Sequence, residues 1–144
     1  MLKMKNTDIL CIIPPFTYGN YADIGPKCPP LGMATIAAYL EEQGYKVKII
    51  DAFALNLSLD QIKQEIIKNR PQIVFTGSVS STHQTALKIL EIAKEIDSSI
   101  KTVIGGPHPS NAPESCFPKA DCVAINESEE TARDFFRPPG LEGW

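Results

Sequence analysis

Two hydrophobic rhythms alternate along this chain. Short, almost continuous apolar runs recur at Asp8–Ile13, Lys46–Asp51, Gln72–Thr76, Thr102–Ile104 and Asp121–Ile125. Unbroken apolarity over so few residues is what a strand covered on both faces requires. Between the runs, apolar residues recur every three or four positions. Met33, Ile36, Ala37 and Leu40 form one such stripe, Leu59, Ile62 and Ile66 a second, and Ala86, Ile89, Leu90, Ala93 and Ile96 a third. That spacing puts them on one face of a helix. It predicts helices over about Leu31–Gln43, from Ser58 to just before Pro71, and over about His83–Ile96. Gly44 is a natural helix stop, Ser58 with Gln61 reads as a capping box, and Pro71 breaks the second helix. A short helical segment is expected near Pro113–Phe117. A last helix is expected to start at Asn126–Glu129 and reach Phe136, where Pro138-Pro139-Gly140 stops it.

Five apolar strands joined by helical crossovers predict an α/β fold. The expected architecture is a doubly wound five-stranded parallel sheet, Rossmann-like or flavodoxin-like, in the order 2-1-3-4-5. Such sheets bind ligands beyond the carboxyl ends of their strands, near the point where the strand order reverses. Here those ends carry Pro14-Pro15, Thr76-Gly77-Ser78, Gly105-Gly106 and Asn126-Glu127. The fourth is the most unusual. Thr102-Val103-Ile104 stops on Gly105-Gly106 and continues as Pro107-His108-Pro109-Ser110. A strand ending on two glycines leaves an edge without side chains, which a flat ligand can approach closely. The long segment Phe16–Pro30, rich in Gly, Pro, Tyr and Asn, has the length of a functional loop.

Composition narrows the classes. A formal net charge of −3 with no basic stripe gives no footprint for nucleic acid or an anionic membrane. No apolar run reaches the roughly twenty residues of a membrane span, and Met1–Asn6 does not open a signal peptide. The chain therefore reads as cytoplasmic. None of the four cysteines, Cys11, Cys28, Cys116 and Cys122, forms a Cys-x-x-Cys pair. Spacing thus offers no zinc or iron–sulfur site, and a cytoplasmic chain keeps its thiols reduced.

The usual occupants of this rim fit poorly. Pro14-Pro15-Phe16 stands where a dinucleotide site needs Gly-x-Gly-x-x-Gly. No phosphate-binding Gly-Lys-Ser/Thr loop is present. A receiver domain would need an aspartate where the third strand ends in Thr76. Two prolines after the first strand also spoil a flavodoxin-type phosphate cradle. Only His83 and His108 could serve a hydrolytic serine, and no Gly-x-Ser-x-Gly elbow exists. No catalytic residue is assigned.

Four pieces, in order along the chain, do match a known family. They are Ile12-Ile13-Pro14-Pro15; Pro29-Pro30-Leu31-Gly32-Met33-Ala34 with Ala37-Ala38-Tyr39-Leu40; Gln43-Gly44-Tyr45-Lys46-Val47 continuing to Asp51-Ala52; and Ile104-Gly105-Gly106-Pro107-His108-Pro109. From about Asp8 to Thr131 the chain resembles the N-terminal cobalamin-binding domain of cobalamin-dependent radical S-adenosylmethionine enzymes. Those include methyltransferases and the anaerobic cyclase of chlorophyll synthesis. The resemblance implies a corrin ring lying flat over the strand ends and a nucleotide tail inserted between sheet and helices. Residues 1–137 would form the cobalamin-binding domain and 138–144 a tail or the start of a linker. The implied cofactor-binding set is Pro15, Phe16, Thr76, Ser78, Ser80, Gly105, Gly106, Pro107, His108, Asn126 and Glu127, with no metal ligand. Gly105 and Gly106 would let the tail pass close to the backbone. Ser78 and Ser80 would hydrogen-bond the tail or its base, the alternative being ordinary loop capping.

Three departures from related patterns shape the expectation. Cobalamin carriers of the methionine-synthase kind place a cobalt-ligating histidine after the first strand, and Phe16–Pro30 contains none. Cobalamin is therefore expected base-off, with no protein nitrogen below the metal and that face covered near Phe16, Tyr18 or Tyr21. His108 reads as a loop histidine held by its prolines rather than as a cobalt ligand. The family's Gly-Glu-Gly-Glu after the fifth strand is replaced by Asn126-Glu127-Ser128-Glu129, where Asn126 and Glu129 serve either as a helix cap or as ligand contacts. Finally, no Cys-x-x-x-Cys-x-x-Cys is present to hold a four-iron cluster. The iron–sulfur cluster and S-adenosylmethionine would belong to a separate radical catalytic domain. The competing readings are a stand-alone corrinoid carrier for a methyltransferase partner and a non-corrinoid regulatory or interaction domain on the same fold.

Overall fold

The computed structural model describes residues 7–16 and 28–125. Its elements are β1 (Ile9–Ile13), α1 (Leu31–Glu42), β2 (Val47–Asp51), α2 (Leu59–Asn69), β3 (Ile73–Gly77), α3 (His83–Ile96), β4 (Lys101–Gly105), α4 (Pro107–Asn111), a 3-10 turn (Pro113–Cys116) and β5 (Cys122–Ala124). All strand pairings are parallel, in the order β2-β1-β3-β4-β5. This is the order expected from the alternating pattern. The helix expected beyond Asn126 lies outside the described residues.

The central strand β1 shows why the runs are continuously apolar. Ile9, Leu10, Cys11 and Ile12 are all fully buried, yet consecutive side chains enter different layers. Leu10 and Ile12 pack with Ile62, Ile66, Ile89 and Leu90 of α2 and α3. Ile9 and Cys11 pack with Met33 and Leu40 of α1. Each such aliphatic side chain contributes roughly 1.5–3 kcal/mol on burial. Polar chemistry inside this sheet is confined to positions with a built-in partner. Thr76 is fully buried, and its hydroxyl donates to the Ile12 carbonyl at 2.9 Å. At the amino edge, the Asp8 carboxylate accepts from the Lys46 N–H at 2.8 Å and from Gln72 Nε2 at 3.2 Å, aligning the starts of three adjacent strands.

Helix ends follow local chemistry. Ser58 and Gln61 form the reciprocal capping box anticipated for α2. Gly44 takes φ +92° just past α1, where a side chain would be strained. Pro107-His108-Pro109, expected as loop, is instead the first turn of α4. Its prolines sit in the first turn of the helix, where their missing N–H groups leave no bond unmade. Ser110 N–H donates to Gly106 O at 3.0 Å and Ala112 N–H to His108 O at 2.9 Å.

Candidate ligand-binding site

The carboxyl edge holds an apolar cavity of about 330 Å³. Its walls come from four strand ends and the start of α1: Ile13 at the end of β1 and Phe16 beyond it, Leu31 and Met33 on α1, Phe53 after β2, and Gly77 at the end of β3. Gly106 and Pro107 close it from the β4 side. Phe16 and Phe53 meet edge to face with centroids 5.1 Å apart, tying the ends of β1 and β2 together. Among the described residues, the side chains with polar atoms on the lining are those of Ser78 and Thr82. Thr82 Oγ1 accepts from Val79 N–H at 3.2 Å and donates back to Val79 O at 3.3 Å. Exposed apolar residues gather on the same rim: Leu31 is 74% exposed, Phe16 39% and Val79 43%.

Small residues line up across the sheet beneath this cavity. Gly77 pairs with Gly105, and Gly105 with Ala124, in register on three adjacent strands. The three glycines at the rim differ in what surrounds them. A Cβ on Gly77 would meet Met33 Cε at 3.7 Å, an ordinary contact that projects toward the cavity. A Cβ on Gly105 would touch Ala124 Cβ at 3.4 Å and the Phe75 ring at 3.5 Å. Gly106 has φ +111°, and a Cβ there would stand 2.6 Å from the Ser78 carbonyl oxygen. Gly106 is therefore glycine because the chain itself passes at that distance. The Gly-Gly signal splits in space: Gly105 completes a strand and Gly106 is the hinge that starts α4.

The two histidines of the chain, 25 positions apart, meet beside this hinge. The His83 and His108 rings lie with centroids 4.0 Å apart, tilted by 33°. Ser115 fixes the tautomer of the inner ring. Its single hydroxyl proton goes to Ala112 O at 2.6 Å, so Ser115 Oγ accepts from His83 Nε2–H at 3.0 Å. His83 Nδ1 is then the acceptor, and Ser78 O–H donates to it at 3.1 Å. Ser80 Oγ lies 3.1 Å from His108 Nδ1. Burial holds the His83 pKa below the usual histidine value, and neighbouring His108 lowers it further against the Ser115 hydrogen bond. His83, only 4% exposed, is a neutral structural link between the end of β3, α4 and the 3-10 turn.

Of the expected site residues, the structure brings Phe16, Ser78, Gly106 and Pro107 to the cavity. Pro15 is buried next to it. Ser80 and His108 pair with each other on the outer side of the hinge. The Thr76 side chain faces away, bonded to Ile12. Asn126 and Glu127, like Tyr18 and Tyr21, lie outside the described residues. Sequence reasoning named Gly77 at a strand end and Leu31 and Met33 in the family motif but left them, with Phe53, out of the binding set, because their convergence depends on register; it also missed the pairing of His83 with Ser115. The signal for the histidine pair was available: both follow the carboxyl ends of β3 and β4, which the expected order makes neighbours.

A parallel α/β sheet with an apolar cavity and its glycines gathered at the carboxyl edge defines a small-ligand-binding domain. The chain belongs to the B12 binding domain family, whose model matches residues 19–136. It is 34% identical to an uncharacterized methyltransferase of Pyrococcus horikoshii, over 91% of this chain and 29% of that protein. It is 37% identical to the anaerobic magnesium-protoporphyrin IX monomethyl ester cyclase of Rubrivivax gelatinosus, over 65% of this chain and 18% of that protein. Against the cytidylyl-2-hydroxyethylphosphonate methyltransferase of Streptomyces wedmorensis the identity is 32%, over 74% of this chain and 24% of that enzyme. The fold also matches the structure of the cobalamin-dependent S-adenosylmethionine radical enzyme OxsB with aqua-cobalamin bound. The TM-score is 0.72 at 20% identity, covering 90% of this chain and 18% of OxsB. The chain thus spans less than a third of each of these proteins. Among the described residues no helix is long and apolar enough to cross a membrane, and no group of three or more His, Cys, Asp or Glu is placed to hold a metal ion.

Proposed function

We propose that this chain is a cofactor-holding module that binds cobalamin base-off, with no protein histidine on cobalt, and presents it to a radical S-adenosylmethionine catalytic domain or a partner methyltransferase. The observation that carries the reading is the rim itself. A family member with an apolar cavity beside Gly77 and a sheet edge stripped of side chains can receive a flat cofactor. The Cβ missing at Gly77 would project toward the volume such a group needs. Phe16, Leu31, Met33, Ser78, Gly106 and Pro107 would hold it. Cobalamin, when bound, supplies the cobalt chemistry, and the protein supplies position and exclusion of water.

The histidine network supports the absence of a protein ligand to cobalt. These 144 residues contain two histidines. His83 is buried with both ring nitrogens engaged by Ser78 and Ser115. His108 stacks on it and faces Ser80. Recruiting either ring to a metal would dismantle the hinge. Electron paramagnetic resonance of the cobalt(II) form tests this directly. Binding should abolish the nitrogen superhyperfine splitting of free base-on cobalamin and introduce none. Nitrogen splitting that disappears in His108→Ala would refute the reading.

A further inference from the structure

Resting on the cobalamin reading above, we propose that the stacked pair of His83 and His108 is a proton-operated latch on the ligand-binding rim. With no more than one proton on the pair, α4 stays closed against the end of β3. A second proton drives the rings apart and releases α4, and with it the wall of the cavity formed by Gly106 and Pro107.

The closed arrangement suits neutral rings. His83 Nε2–H donates to Ser115 Oγ, and Nδ1 accepts from Ser78 O–H. A proton on Nδ1 makes both ring nitrogens donors. Ser78 Oγ must then accept, and its own proton must turn away at a residue only 5% exposed. Charging His108 as well sets two cations at a centroid distance of 4.0 Å, which like-charge repulsion opposes. The backbone tie from α4 to the end of β3, His108 N–H to Ser78 O, is 3.4 Å long and weak. The ring pair and its serines therefore carry much of the contact between α4 and α3.

Among the described residues the neighbouring elements offer no countercharge. The loop 78–82 carries only Ser, Val and Thr, and β3 has no titratable side chain. Lys101 sits at the opposite end of β4. His108 is the one titratable side chain of α4. In the 3-10 turn, Glu114 is exposed. Burial, and then Glu114 against a Ser115 hydrogen bond, hold the Cys116 thiol above its usual value, so it stays neutral. On α3, His83 is the first residue, where the positive end of the helix dipole opposes a cation. The next charge on that helix, Lys88, is paired with Glu91. Cobalamin needs the closed rim, so its binding excludes the second proton. Affinity must then fall as pH drops below the ordinary histidine value near 6.5.

Equilibrium dialysis against cobalamin at about pH 7.5 and about pH 5, with the parent chain and His108→Gln, tests the link to the site. The parent's affinity should fall about tenfold more than the variant's. Titration of the cofactor's own base is common to both proteins and cancels in the comparison. Hydrogen exchange on the cofactor-free protein tests the latch itself. Protection factors of the Ser110 and Ala112 amides, which bond within α4 to Gly106 O and His108 O, should drop about tenfold over the same interval. Those of β1 should hold, and in His108→Gln the α4 values should stay level. Protection of α4 that is constant with pH, that falls equally in His108→Gln, or that is lost together with β1 overturns the latch. Equal loss of affinity in the two proteins overturns its link to the cofactor. Opening of α4 with no cobalamin bound at either pH supports the latch and overturns the cofactor reading instead.

Discussion

Replacing Gly106 by alanine should damage the fold far more than the same change at the other rim glycines. Gly106 holds φ 111° and ψ −177°, a region essentially reserved for glycine, and a side chain there costs about 1–3 kcal/mol. The new Cβ would also stand 2.6 Å from Ser78 O and 3.1 Å from Ser78 N. Both are backbone atoms, so relief means separating the ends of β3 and β4. That strains the Ser78 N–H to Gly105 O bond, now 2.9 Å, which is worth about 1 kcal/mol. The sum is roughly 2–4 kcal/mol, a large part of the 5–15 kcal/mol by which a typical domain is stable. With a urea slope of about 2 kcal/mol per molar, the midpoint should fall by roughly 1–2 M in equilibrium denaturation followed by circular dichroism. Gly77→Ala, with nothing closer than 3.7 Å, should leave the midpoint nearly unchanged yet weaken cobalamin binding by intruding on the cavity. Gly105→Ala, with contacts at 3.4–3.5 Å, should fall between them in stability. A Gly106→Ala midpoint equal to that of the parent would refute the close-approach argument. Gly77, rather than Gly106, is thus the position at which binding is tested without breaking the fold.

The lowered His83 pKa makes stability pH-dependent in one direction: it is full above the unfolded value near 6.5 and falls as pH drops toward the folded value, because the unfolded chain takes up the proton first. Urea midpoints should therefore decline below pH 6.5, and the decline should shrink in His83→Gln. Asp121 shows the carboxylate version. Burial pushes its pKa up, but the Lys94 hydrogen bond and the Thr102 N–H outweigh it and hold the value below the usual 3.8. Its stabilisation is present above that value and lost as pH falls through the lower folded one. At 34% side-chain exposure, Asp121→Asn should cost no more than about 1 kcal/mol at pH 7, read as a small midpoint shift. Thiol labelling should find Cys28 fast and Cys11 protected in the native state, since Cys28 is exposed while burial pushes Cys11 up to about 12. Equal labelling rates for the two would contradict the burial of β1.

Particular residues show how much could be read in advance. Ile9 to Ile12 had to be a strand covered twice, since four consecutive apolar side chains alternate between faces and each needs a layer. Ser58 with Gln61, Gly44 and Pro71 act on their own neighbourhoods, so helix ends were legible from local chemistry. Pro107 and Pro109 misled for the same reason. Two prolines around one histidine look like loop until it is clear that both fall in a first helical turn, where no N–H is missed. Thr76 looked like a rim residue because it ends an apolar run, but strand alternation turns its hydroxyl inward to Ile12.

The order of apolar runs, helix periods and breakers therefore determined the class of fold, the strand order and the edge at which a ligand would sit. These depend on local rules and on the handedness of crossovers. The family motifs added cobalamin. What each rim residue does was decided only by the tertiary structure. Gly105 and Gly106 are adjacent in the chain, but one meets Ala124 and the other meets Ser78, 28 residues away. His83 and His108 are 25 residues apart and become a single network whose proton arrangement depends on Ser115. Distances of a few ångströms between strand ends are set by sheet register, and no local pattern of polar and apolar positions encodes them.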